Sequence, residues 1–268
     1  MKKGFSLAFS RKHLSIPYVL FLVLFVVLPL ILVVYYAFTD ANGVFSFGNF
    51  SSFFNDKTKI STLLISIIVA FLVTVICILI AYPVAYILSK MSKKFAFICL
   101  LLFITPMWIN FVLRAMAMKE LLSLLGVPLG NFANIIGLVY DFLPFMILPI
   151  YTTIIKIDKS YLEAAKDLGA TPAKAFLKVT LPLSKSGIVS GVSMVFLPSM
   201  TNYVVSNYLT FRNVKIIGKL IDDYFTGDLW HDGSFIALIL LLFMFLVTWL
   251  TGGFEADEQT NARGTSLW

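Results

Sequence analysis

The chain has 268 residues, 59% of them hydrophobic and 13% charged, with a mean hydropathy of +0.92 and a formal net charge of +7. Soluble globular domains are about 45–50% apolar and about 25% charged, so this composition excludes an ordinary water-soluble domain. The basic residues are dispersed among short loops and not gathered on one face with stacking aromatics, which excludes a nucleic-acid binder.

In chain order, the first element is an uncharged run at 16–38, preceded by Lys2, Lys3, Arg11 and Lys12. It exceeds the roughly 7–15 apolar residues of a signal-peptide core and no small-residue cleavage site follows, so it reads as an uncleaved membrane span. Further uncharged runs lie at 60–89, 95–113, 186–211 and 233–254, and 121–155 carries Asp141 alone. About 20 apolar residues cross a hydrocarbon core of about 30 Å. The pattern therefore predicts an all-α integral membrane protein of six transmembrane helices, the fourth over about 135–155. A charge at mid-membrane costs about 2.5–3.5 kcal/mol, so Asp141 is expected towards one end of that span. It has three readings: a pathway carboxylate, a partner for Arg114, or a group near the headgroups. Five spans carry proline (Pro29, Pro83, Pro106, Pro144 with Pro149, and Pro198), which suits helices that bend.

Lys and Arg distribute fourteen to one set of alternate loops and seven to the other. Positive residues accumulate on the cytoplasmic side. Both termini and the 156–185 loop are thus expected in the cytoplasm. The organisation reads as a cytoplasmic N-terminus (1–15), a six-helix transmembrane domain (16–254) and a polar tail (255–268) expected to be a disordered end. Cys77 and Cys99 lie inside apolar runs and outside any CxxC, as packing residues do. His13 and His231 fall on opposite sides, so no metal site is expected.

The charged stretch 161–188, "YLEAAKDLGATPAKAFLKVTLPLSKSGI", interrupts this pattern. Ser160 with Glu163 reads as a capping box that starts a helix at Tyr161. Tyr161, Leu162, Ala164, Ala165 and Leu168 share one arc of it, and Glu163, Lys166 and Asp167 the other. Gly169 supplies a left-handed helix stop. Thr171 and Pro172 restart a second helix as N-cap and first helical residue, and Leu181-Pro182 is expected to end it. Two helices this short are marginal alone, so their apolar arcs must lie on the lipid interface or dock into another protein.

"EAAKDLGATPAKAFLKVTLP" resembles the E-A-A-x-x-x-G motif, with its following L-P, of permease subunits of bacterial ATP-binding cassette (ABC) importers. Glu163, Ala164, Ala165, Gly169, Leu181 and Pro182 fall on the motif positions. "TPMWINFVLRA" (105–115), "GLVYDFLPFMILPIY" (137–151) and "GVSMVFLPSM" (191–200) are similar to the spermidine/putrescine branch of that family. The likeness extends from about the first span to the sixth. It implies a type I ABC importer permease fold in the bacterial cell membrane, with a cytoplasmic coupling helix pair seated in a separate ATPase. It further implies a heterodimer with a second, homologous permease, two ATPase copies, an extracytoplasmic binding protein and surrounding lipid. The chain has no G-x-x-x-x-G-K-[ST], since Gly218-Lys219 is followed by Leu220. It is therefore expected to be non-catalytic and to bind no cofactor itself, with ATP and Mg held by the partner ATPase.

A polyamine path would present aromatic faces and neutral oxygens inside, and carboxylates at its entrance. Trp108, Asn110, Asp141, Asn202, Tyr203, Asn207 and Tyr208 are the candidates within the spans, and Asp222, Asp223, Asp228 and Asp232 those of the exterior loop. Each has a plainer reading as a packing, interfacial or solvated residue, or, for the aspartates, as a dock for a binding protein. Related permeases carry iron, sulfate, thiamine or phosphonate, so the substrate stays open. A secondary transporter driven by an ion gradient is the competing class, and would show ionisable residues within spans and paired broken helices.

Overall fold

A computed structural model of the chain describes residues 15–210 and 216–250. The expected cytoplasmic residues 1–14, the loop bases Arg212 and Lys215, and the tail 255–268 lie outside the described residues. Among those described, every regular element is helical, apart from one isolated bridge between Thr39 and Phe45. Four helices are long and apolar enough to cross a membrane: α1 (Ile16–Ala37), α3 (Lys57–Lys90), α6 (Asn131–Ile154) and α12 (Trp230–Leu250). The number rises to six if two bent pairs are each counted as one span. These are α4 (Lys93–Trp108) with α5 (Phe111–Leu124), and α8 (Pro172–Leu183) with α9 (Lys185–Thr201). Shorter helices connect them: α2 (Gly48–Asn55), α7 (Lys159–Asp167), α10 (Tyr203–Leu209) and α11 (Ile217–Thr226).

The third apolar run, expected as one helix over 95–113, is broken. α4 tightens into a 3₁₀ turn at Thr105–Trp108, and α5 leaves at 102° to it. Pro106 removes a backbone donor there, and Asn110 restarts the helix by accepting the Val112 N–H at 2.9 Å. The fifth run, expected over 186–211, is interrupted at Asn202, which caps α10 by accepting the Val205 N–H at 3.4 Å.

Two prolines are absorbed differently. Leu28-Pro29 and Leu181-Pro182 each follow a π-helical turn, at Val23–Val27 and Phe176–Thr180. The wider turn moves the carbonyl that a proline ring would otherwise strike. Leu181-Pro182 therefore does not end its helix, as the sequence suggested. The chain stays helical to Leu183 and then bends by 61° into α9.

The core is built from α3, α6 and α9. Val73, Cys77, Ala81, Leu138, Met146, Ile150 and Val195 are fully or almost fully buried in it, and Cys77 is a packing residue as expected. Close approach of α9 to α6 depends on Gly187 and Gly191, four residues apart. A Cβ on Gly187 would lie 2.7 Å from the Pro149 carbonyl oxygen, and one on Gly191 would strike the Met146 sulfur. Small residues at this spacing let membrane helices pack backbone to backbone. A second cluster (Phe53, Ala70, Phe196, Met200, Phe235, Ile236) joins α12 and α2 to the bundle. Outward faces carry Leu64, Ile68, Phe71, Leu79, Phe97 and Leu102, an apolar girdle far too large for a water-facing surface.

Candidate coupling and translocation sites

The charged segment folds as a helix–turn–helix knob. α7 begins two residues earlier than the capping-box reading placed it. Asp158, not Ser160, is the N-cap, its Oδ1 accepting the Ser160 N–H at 2.9 Å. That bond holds the Asp158 carboxyl below the usual carboxylate range. Ser160 thus contributes its amide where a hydroxyl cap was expected, because the acidic residue two positions upstream takes the capping position. Glu163 is exposed on the surface of α7.

The turn is as expected. Gly169 has φ +77°, its N–H donates to the Lys166 carbonyl at 2.8 Å, and the Ala170 N–H donates to the Ala165 carbonyl at 3.0 Å. This bond pair closes the last turn of a helix around a left-handed glycine. Thr171 then caps the next helix, accepting the Lys174 N–H at 3.4 Å. Glu163, Ala164 and Gly169 are exposed, and Ala165 and Leu181 half-buried. Leu168, on the same apolar arc, is 88% exposed, and Tyr161 is exposed as well. Of the arc predicted to need a cover, Tyr161, Ala164 and Leu168 are exposed and Leu162 and Ala165 half-buried.

What fastens the knob to the bundle was not foreseen from the sequence. Phe176 packs edge-on against Tyr82 and Tyr86 of α3, with ring centroids 5.5 and 5.0 Å away. The Tyr82 hydroxyl shares a 2.6 Å hydrogen bond with Ser184 at the α8–α9 bend. Ala175 and Thr180 are buried beside this joint. Tyr82 and Tyr86 stand one helical turn apart on a segment otherwise apolar, which is the signal that could have revealed them.

The candidate pathway residues gather around the two interruptions. Trp108 is 81% exposed beside the first break, and Asn110 is exposed there too. Asn207 and Tyr208 lie half-buried on α10, with Asn202 at its cap. Asp141 is the eleventh residue of the 24-residue α6, near its middle and not towards an end as expected. Of its three readings the ion pair is the one observed. Arg114 Nε lies 3.0 Å from Asp141 Oδ1, and the two side chains are 13% and 4% exposed. Pairing makes a buried carboxylate tolerable where an isolated one is costly.

Tyr203 is already occupied by a cation. Lys219 Nζ sits 5.4 Å from its ring centroid while bonded to Asp222 and Asp223 at 2.7 and 2.8 Å. Those carboxylates, Asp222 foremost, raise the Lys219 pKa above its ordinary value. Asp232 pairs with buried Lys59 at 2.8 Å, and Asp228 is exposed. A separate groove of about 590 Å³ opens between α3 and α6, lined by Thr58, Ser61, Thr62, Asn131 and Asn134 with apolar residues below.

Comparison with known proteins places these features in context. Residues 78–257 match the family described as the binding-protein-dependent transport system inner membrane component. The spermidine/putrescine transport system permease protein PotB of Haemophilus influenzae is 33% identical, over 90% of this chain and 92% of its own length. The protein of the same description from Escherichia coli is 33% identical over 85% and 92%. Among solved structures, a bacterial ABC transporter involved in the import of the acidic polysaccharide alginate superposes with a TM-score of 0.73. It is 14% identical and covers 92% of this chain and 94% of that one. The MetNI methionine ABC transporter gives 0.56 at 17% identity, covering 77% and 98%. Identities this low speak to the fold alone.

Proposed function

This chain belongs to the family of binding-protein-dependent transport system inner membrane components, and we propose that within it the chain is the permease of an ATP-driven importer of polyamines, spermidine and putrescine. It is a transport component with several membrane helices. The observation that carries the polyamine reading is identity of about one third to spermidine/putrescine permeases along nearly the whole chain. The mechanism rests on the knob, which presents Glu163, Ala164, Gly169 and the bare Leu168 on an exposed helix pair while Phe176 and Ser184 tie it to α3.

In this reading both termini and the knob face the cytoplasm, as the distribution of Lys and Arg favours. The knob sits in a groove of a separate ATPase, which holds the ATP and Mg. A second, similar permease completes the membrane unit, each permease docks one ATPase copy, and an extracytoplasmic binding protein delivers the substrate. The path runs along the surface bearing Trp108, Asn110, Asn207 and Tyr208. Asp141, Asn202 and Tyr203 shape it from behind, since their polar groups are buried or engaged in this conformation. ATPase movement reaches the spans through the Phe176–Tyr82–Tyr86 contact and the bend at Ser184.

The two interrupted spans and the buried Arg114–Asp141 pair are features an ion-gradient transporter would also show. Family membership favours ATP, and uptake that survives a protonophore but not ATP depletion separates the two.

Gly169 offers the direct test of coupling. Nothing lies within 4 Å of where its Cβ would be, so Gly169→Val strains the backbone by about 1–2 kcal/mol without a clash. The G169V chain should insert and accumulate normally yet lose ATP-coupled uptake. Gly169→Asn, which tolerates the left-handed conformation, should keep most of it. Full uptake by G169V would sink the coupling role of the knob.

A further inference from the structure

The two interruptions are built on one pattern. The first reads Pro106-Met-Trp-Ile-Asn110-Phe111 and the second Pro198-Ser-Met-Thr-Asn202-Tyr203. In each, a proline is followed four residues later by an asparagine and then an aromatic residue. In each, the asparagine side chain caps the helix that follows. The two capped helices, α5 and α10, pack against one another and against α6.

Polar contacts join the elbows where they meet. Arg114, one turn into α5, pairs with Asp141 on α6 and also donates from Nη1 to the Pro106 carbonyl at 3.4 Å, reaching back across its own break. Asn202, the second elbow, starts α10, which packs against the same helix α6. One turn further along α10, buried Ser206 donates to Asn134 Oδ1 on α6 at 3.0 Å. Close packing accompanies these bonds, because a Cβ on Gly137 of α6 would strike Leu209. Asp141 Oδ2 is buried without a hydrogen-bond partner, so the pairing is incomplete in this conformation. A buried acceptor left unpaired is costly, so an arrangement that paired it would be favoured.

We infer that the Arg114–Asp141 pair and the Ser206–Asn134 bond form a clamp through α6 that fixes the separation of the two proline–asparagine elbows, and that the transport cycle depends on making and releasing it. These are positioning residues, acting through the elbows and not by touching the cargo. The inference deepens the importer reading and rests on it for the transport step. The geometric claim stands on the packing alone, so the two are tested separately.

The test uses the assembled complex in nanodiscs, with Cys77 and Cys99 of this chain replaced by Ala and spin labels at Ile109→Cys and Thr201→Cys. Both labelled sites are exposed and each adjoins an elbow asparagine. The intact clamp should give one narrow inter-label distance. The double substitution R114M with D141L removes both charges together, which membrane and protein interiors tolerate better than removing one. It should broaden or shift the distance by about one helical turn, ~5 Å. S206A removes no charge, breaks the bond to Asn134 and should broaden it as well. In uptake assays both should lower turnover about tenfold with KM changed less than about threefold, the split expected of a positioning role. An unchanged distance in both variants overturns the clamp whether or not the complex transports polyamines. An altered distance with normal turnover overturns its role in transport.

Discussion

Asp158 starts the knob, and its effect has a definite sign with pH. The Ser160 N–H bonded to its carboxylate lowers the pKa in the folded state. The capping contribution is therefore complete above the unfolded carboxylate value of about 3.9 and is lost as pH falls through the lower, folded value. Hydrogen exchange in the first turn of α7 should be protected and nearly pH-independent in its protection factor from about pH 5 to 8. Asp158→Ala should abolish that protection, while Asp158→Asn, itself a good cap, should retain it. Equal protection in D158A would mean the cap contributes nothing. The sequence made Gly169 and Thr171 legible because a left-handed stop and a Thr-Pro start are local events with few competing residue choices. It misplaced the first cap because Asp158 and Ser160 both qualify, and only the backbone decides which side chain meets a free amide. Asp141 was legible as an anomaly, and Arg114 appeared among its partners. Their pairing at the middle of α6 needed the break in the third span, which brings residue 114 back towards residue 141.

At the scale of elements, hydrophobic runs located the spans because length and apolarity are what a bilayer selects. They gave no warning that two runs are interrupted, since Trp108, Ile109 and Phe111 are as apolar as any helix interior and the signal is confined to Pro106 with Asn110, and Pro198 with Asn202. A run of apolar residues reports burial in lipid, and proline with a capping asparagine reports where the helix stops. The same separation explains Pro182, whose helix continues because a π-turn makes room for the ring. The joint between knob and bundle belongs to this scale too. Edge-to-face aromatic pairs contribute about 0.5–1.5 kcal/mol each beyond their buried area, and Phe176 makes two. Phe176→Ala should therefore leave insertion intact but loosen the knob. In the assembled transporter, ATP hydrolysis should continue while uptake per ATP falls about fivefold or more, within the usual range of a coupling free energy. Phe176→Tyr should restore most of it. An unchanged ratio of uptake to hydrolysis in F176A would remove this contact from the transmission path.

Across the whole molecule, two regions of the bundle differ in how they are held. One carries the exposed knob, bound to α3 through a few aromatic contacts. The other carries the two elbows, joined by a buried ion pair near the middle of α6 and a buried hydroxyl–amide bond nearer the start of that helix. Between them α3, α6 and α9 form the core, and Gly187 and Gly191 bring α9 close against α6. A packed core between an exposed knob and interrupted helices suits the proposed coupling, in which force is applied at one place and used at another. The function proposed for this chain is to couple ATP hydrolysis to polyamine import. Its most direct test is uptake of labelled spermidine and putrescine by cells lacking their own polyamine import. This chain would be supplied together with the partner permease, ATPase and binding protein. ATP-dependent uptake that vanishes when this chain alone is omitted is the predicted result. A four-part complex that assembles but imports neither polyamine would contradict it.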